Sequence, residues 1–305
     1  MLKMLSWDAG PCGVLLAHCL VMAETSLANF TPQATSLDRY SKIARTLNFL
    51  KSHTHTAVQL TMSQTIDFDT EAARYLHNLL HTVLLEITPK KITAAWAERL
   101  PVIQDGHQHT ADVIRVYEEE GEEWQMPADI DAEAARALLE SNQCDDAPVI
   151  LGSIIAALYG IRNVEVLTLR VYPRLYTLNP GDRLSPRRVH TVLRIGDKVL
   201  DLTAGQFGFK WLLGPEREYR DEFVVEGPPE VCIPLQEAWE DMPSRDGELN
   251  AVYNSLRIRL KREQDSWLRV NGETLRGVVM GEDEEKRRDL WEKLRVIAER
   301  VWQER

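Results

Sequence analysis

The chain's 305 residues include 36 Lys and Arg against 47 Asp and Glu, a net charge of −11, with 44% hydrophobic and 27% charged residues. That length suits a large core and more than one domain, since a domain takes ~100–200 residues, and the balance is that of a globular protein in water. The acidic charge argues against a nucleic-acid backbone or an anionic membrane surface as the main partner, because both favour a basic face, and no apolar run reaches the ~18 residues of a transmembrane helix.

The four cysteines, Cys12, Cys19, Cys144 and Cys232, are scattered without metal-like spacing. Free thiols in a reduced, cytoplasmic compartment are therefore expected, with a secreted effector as the alternative. Cys12 to Ala23 loosely resembles a signal peptide, but Asp8 and His18 interrupt it.

In chain order, Val14 to Met22 reads as a short helix, and Leu37 to Lys51 as another, with apolar residues three to four apart. Asp67 to Glu86 is a stronger helix, capped by Asp67 or Asp69, with Ala72, Leu76, Leu79, Leu80 and Val83 as its stripe. Lys90 to Leu100 and Thr110 to Glu119 are expected to be helices, and the acidic run Glu118 to Glu123 a solvated connector. Asp129 to Ser141 is alanine-rich and helical. After Cys144-Asp145-Asp146, a helix apolar nearly all round begins, with Asp146 as N-cap and Pro148 in its first turn, and Tyr159-Gly160 ends it. Val164 to Val171 is a strand that ends, bulges or sits at an edge at Pro173. Asn179 to Asp182 is a turn, and Phe223 to Val225 one more short strand. Leu249 to Arg262 and Glu284 to Gln303 are helices.

Between these lies Arg188 to Phe207, RVHTVLRIGDKVLDLTAGQF, which has the period of a β-hairpin turning at Gly196-Asp197. Counting outward from Ile195 and Lys198, Val192 faces Asp201. His190 and Asp201 are then diagonal neighbours on one face, roughly 7–8 Å apart at the backbone; a one-residue slip would separate them. A histidine oriented by a carboxylate calls for a nucleophile. Cys144 stands at the start of the apolar helix, where free N–H groups and the helix dipole favour a thiolate. Gln143, or the Cys144 backbone N–H, is placed to serve an oxyanion. Asp145 and Asp146 count against the assignment, because negative charge beside a thiol disfavours its ionisation. The bland alternatives are a small buried cysteine, a structural histidine, a turn aspartate, and Phe207 and Trp211 as core or apolar wall.

The order Cys144, His190, Asp201 resembles the papain-like superfamily in its broad sense: transglutaminase-like proteins, protein-glutamine deamidases and papain-fold toxin domains of bacterial effectors. Asp201-Leu202-Thr203-Ala204-Gly205-Gln206-Phe207 is similar to the D-x-T-A-x-Q-F run that the catalytic aspartate opens in those toxin and deamidase domains. The resemblance covers about residues 130–230. Those families often place glycine or a small or aromatic residue beside the cysteine, where this chain has Gln143 and Asp145.

The resemblance implies an α+β fold, an antiparallel sheet packed on a central helix, spanning 126–235; the periodicity of the rest places it between a mainly helical region 1–125 and a C-terminal helical region 236–305. It implies a thiol enzyme, a protein deamidase, protease or acyl transferase, acting on a protein or peptide amide. Cys144 would be the nucleophile, His190 the base, Asp201 its orienter, and Gln143 and Gln206 contacts to oxyanion or substrate. The alternative is a non-catalytic binding or scaffolding protein that retains the core. No cofactor is expected. A metal finds weak support: His77 and His81 share a helix face, but Asn78 stands where H-E-x-x-H has its glutamate. His53 with His55 and His107 with His109 form further pairs without a nearby carboxylate or cysteine cluster.

Overall fold

In a computed structural model of the chain, the first described helix is α1 (Phe68–Leu84), followed by the long hairpin β1 (Lys90–Gln104) and β2 (His107–Glu120). Helices α2 (Ala132–Glu140) and α3 (Ala147–Tyr159) come next, then strands β3 (Val164–Val171), β4 (Leu175–Leu178), β5 (Arg188–Ile195) and β6 (Lys198–Leu200). A 3-10 turn (Ala204–Phe207) leads to β7 (Leu213–Pro215), α4 (Glu216–Phe223) and β8 (Val231–Pro234). The chain closes with α5 (Leu235–Asp241), α6 (Gly247–Asn271), α7 (Leu275–Met280) and α8 (Glu284–Gln303). The described residues are 67–87, 90–104, 107–121, 124–127, 130–179, 181–182, 184–185, 187–225, 227–241, 247–281 and 283–305, all within one compact unit, Ile66–Arg305. The two helices expected before residue 52 lie outside them.

The fold is α+β. Helix α3 is its centre, with Ala147 to Gly152, Ile154 and Ile155 all buried. A helix that is apolar nearly all round has to be covered on every side. Helix α1 covers it through an amphipathic face of Ala72, Leu76, Leu79, Leu80 and Val83, and α6 through Tyr253, Leu256 and Leu260. A five-stranded antiparallel sheet, in the order β7-β6-β5-β3-β8, covers the rest. The alternation along β3 assigns Val164 and Val166 to this cluster and Leu167, Leu169 and Val171 to the opposite face. On that face they meet Phe209, Tyr219 and Phe223. One buried cluster thus runs from Ala72 to Val301, with α6 and α8 packing against the same centre as the sheet.

The sequence expectations for α1, α3, β3 and α8 hold within a residue or two. Lys90 to Leu100 and Thr110 to Glu119 do not form helices. They are β1 and β2, paired antiparallel from Lys90↔Glu120 to Gln104↔His107, with a bulge between Ile92 and Ala94. Alanine, glutamate and arginine in β1 favour a helix locally, but a continuous ladder with the β-branched β2 overrides that preference. Strand β2 then pairs in parallel with β4 in a second, three-stranded sheet. Phe223 to Val225 is not a strand either: Phe223 ends α4, and Val224 makes only an isolated bridge to Val171.

Candidate active site around Cys144, His190 and Asp201

The hairpin has the expected register, with Ile195 opposite Lys198 and Leu193 opposite Leu200. Gly196 adopts φ 63° at the turn, which an L side chain resists. The ladder stops at Leu200, one pair short of Asp201. The Asp201 N–H donates instead to the Leu212 carbonyl at 2.9 Å, so the chain leaves β5 while its carboxylate still points back. Asp201 Oδ2 lies 2.8 Å from His190 Nε2, and both side chains are fully buried. Beside the end of β6, Cys144, Thr191, Val192 and Thr203 border one small pocket.

Three donors hold the Asp201 carboxylate. Besides His190, the Tyr219 hydroxyl donates to Oδ2 at 2.9 Å and the Thr203 N–H to Oδ1 at 3.1 Å. A buried charge is tolerated when its lone pairs are satisfied in this way. Burial by itself would strip the proton from His190. The Asp201 charge and hydrogen bond outweigh burial, Cys144 adds to them, and the His190 pKa is raised to about 10. Burial, reinforced by Asp201, pushes the Tyr219 hydroxyl well above its ordinary value, which keeps it a donor.

The Gln143 carbonyl accepts from the Asp146 and Ala147 N–H groups, so helical hydrogen bonding begins at Gln143 and Cys144 occupies the first turn ahead of α3. Its own N–H falls among the end groups that have no partner within a helix. Cys144 is partly buried and near enough to His190 to add to the upward shift of its pKa. With Nε2 taken by Asp201, the ring nitrogen left for the thiol is Nδ1, which is buried and makes no hydrogen bond. The two aspartates that counted against Cys144 are both held elsewhere. Asp145 Oδ1 accepts from the Thr191 hydroxyl. Asp146 does not cap α3 as expected, because its backbone is already helical at φ −84°, ψ −33° and its side chain makes no cap hydrogen bond. It engages the Tyr253 hydroxyl of α6 instead.

Cys144 opens on a cavity of about 470 Å3, lined among others by Asn142, Gln206, Phe207, Arg188 and Tyr176. Phe207 also packs edge-on against the His190 ring at 4.8 Å. Gln206 lines this cavity, but its amide already donates to the Thr203 hydroxyl at 3.0 Å. Gln143 is buried beside Cys144, is not among the cavity's lining residues, and its side-chain oxygen makes no hydrogen bond. Trp211 belongs to the core around Tyr219 and Phe223 and donates to the Val199 carbonyl.

The sequence reading missed Tyr219 and the Thr203 N–H. Tyr219 and Phe223 stand four apart as the buried pair of the otherwise charged EREYRDEF, a spacing that marks a packed face. The Thr203 contact follows from aspartate's habit of binding the backbone two residues on. Comparison with family models, curated proteins and solved structures finds no match for this chain.

Proposed function

We propose that the protein is a thiol-dependent enzyme with a papain-like core, acting on the amide of a protein or peptide. The observation that carries the reading is the division of the His190 ring: Nε2 is held by the buried Asp201 carboxylate, and Nδ1 is left for Cys144 at the wall of the cavity. A charged imidazole next to a thiol favours the thiolate, the nucleophilic form.

The chemistry follows from this arrangement. The Cys144 sulfur attacks the carbonyl carbon, and the carbonyl π electrons move onto oxygen. The Cys144 N–H, at the start of the helical turn, supports that oxyanion. When the intermediate collapses, the C–N bond breaks, the amine leaves with the His190 proton, and a thioester remains on Cys144. Water, giving its proton to His190, hydrolyses the thioester to the carboxylic acid; an amine in its place yields a new amide. Asp201 keeps the ring oriented and stabilises its charged form throughout. Deamidation, proteolysis and acyl transfer share these steps and differ in the substrate and acceptor that the cavity admits.

Iodoacetamide labelling of the native protein tests the reading. Cys232 is more exposed than Cys144, so access alone predicts faster labelling of Cys232. The proposal expects Cys144 to react at least tenfold faster at pH 7. It also expects Cys144→Ala to abolish any turnover of glutamine-containing peptides, followed by mass spectrometry. Equal labelling of the two cysteines would sink the activated thiol and favour a scaffold without catalysis.

A further inference from the structure

The carboxylate missing from the histidine pair of α1 arrives from a different helix. His77 and His81 are four residues apart, and their ring centroids lie 4.1 Å from each other with the planes tilted by 53°. Both Nε2 atoms point at one oxygen, Glu140 Oε1, at 3.2 and 2.7 Å. Glu140 is the last residue of α2 and fully buried. We propose that His77, His81 and Glu140 form a zinc site that clasps α1 to the end of α2.

Three observations support the site. First, the ligand set is two imidazoles and one carboxylate whose donor atoms all lie within 4.8 Å of one another, a set zinc takes with its fourth position open to water. At zinc bond lengths of ~2.0–2.1 Å, tetrahedral ligand atoms sit about 3.3 Å apart. His77 already has that spacing from Oε1, and His81 needs to open by about half an ångström. Second, the carboxylate is unevenly loaded. Oε1 receives both histidines and also Arg136 Nε at 2.7 Å, whereas Oε2 is buried without a partner. A Cβ on Gly205 would fall 2.6 Å from Arg136 Nε and 2.7 Å from Glu140 Oε2. Both atoms therefore border the same space beside this glycine, which leaves Oε2 as the oxygen for Arg136 to turn to once an ion takes Oε1. In that position it is the outer hydrogen-bond partner that orients a ligating carboxylate. Third, access is built in, since the His77 and His81 side chains are 15% and 25% exposed while Glu140 is closed off. On binding, the proton that each Nε2 now donates leaves or moves to Nδ1. The site is independent of the reading of Cys144.

Isothermal titration of zinc into the full chain tests the proposal, with Cys144→Ser and Cys232→Ser introduced so that no described thiol competes. The expected result is one zinc per chain at this site, weakened by roughly a hundredfold or more in both His77→Ala and His81→Ala, since even outer-shell partners are worth ~10–100-fold. The histidine variants keep an accessible position and are expected to retain the parent circular dichroism; Glu140→Gln is a secondary variant because it is buried. Magnesium, which prefers oxygen ligands, gives no comparable heat. Absence of zinc binding in the parent, or binding of equal strength in both histidine variants, overturns the site, the latter placing the ion on other groups of the chain. Neither outcome bears on Cys144 labelling.

Discussion

Replacing Asp201 by asparagine removes the charge that holds the proton on His190 and leaves the shape of the site almost unchanged. A His190 pKa of about 10 against an ordinary ~6.5 corresponds to roughly 5 kcal/mol of preference for the charged ring. Because the folded value lies above the unfolded one, this contribution is fully present below pH ~6.5 and fades as the pH rises toward 10. In Asp201→Asn the smaller contribution of Cys144 remains against burial, the largest effect on the ring, and burial favours the neutral form. The variant's stability should therefore be flat from pH 7 upward and decline on acidification, the reverse of the parent. A second cost is local. If the Asn oxygen serves His190 and Tyr219, its NH2 faces the Thr203 N–H that now donates to Oδ1, a lost buried hydrogen bond worth about 1–3 kcal/mol. Urea unfolding midpoints between pH 5 and 10 measure both effects, and the Cys144 alkylation rate at pH 7 should fall with the ring's charge. Parent-like loss of stability between pH 7 and 10 in the variant would refute the assignment of that charge to the Asp201 pair.

Two further substitutions probe the surroundings. Tyr219→Phe keeps the ring packing against Trp211 and Phe223 but removes one hydrogen bond to Asp201; a loss of about 1.5–3 kcal/mol is expected, with a displaced pH profile of Cys144 alkylation, and an unchanged unfolding midpoint would show that the hydroxyl contributes nothing. Gly152→Ala, in the middle of α3, would gain ~0.5–1 kcal/mol from helix propensity alone. An added Cβ, however, would fall 2.6 Å from Trp239 Cε2, so overpacking of about 1–3 kcal/mol should prevail; thermal unfolding at or above the parent temperature would contradict that packing.

The hairpin was legible because its information is local. A two-residue turn fixes the register, and a period of two fixes the faces, so the approach of His190 to Asp201 could be counted out from Gly196-Asp197. The start of α3 shortly after Cys144 was legible for the same reason, from an apolar run and a proline in its first turn. Strands β1 and β2 were not legible, since Lys90 to Leu100 carries helix-favouring residues and becomes a strand through pairing with β2. The two aspartates beside Cys144 could be judged only in three dimensions, because Thr191 comes from β5 and Tyr253 from α6. Likewise the i, i+4 pair His77 and His81 was plain in the sequence, whereas Glu140 stands 63 and 59 residues away from them. Turn chemistry and periodicity are written within a few neighbouring residues; which distant side chain satisfies a buried polar group is decided when the helices and the sheet pack.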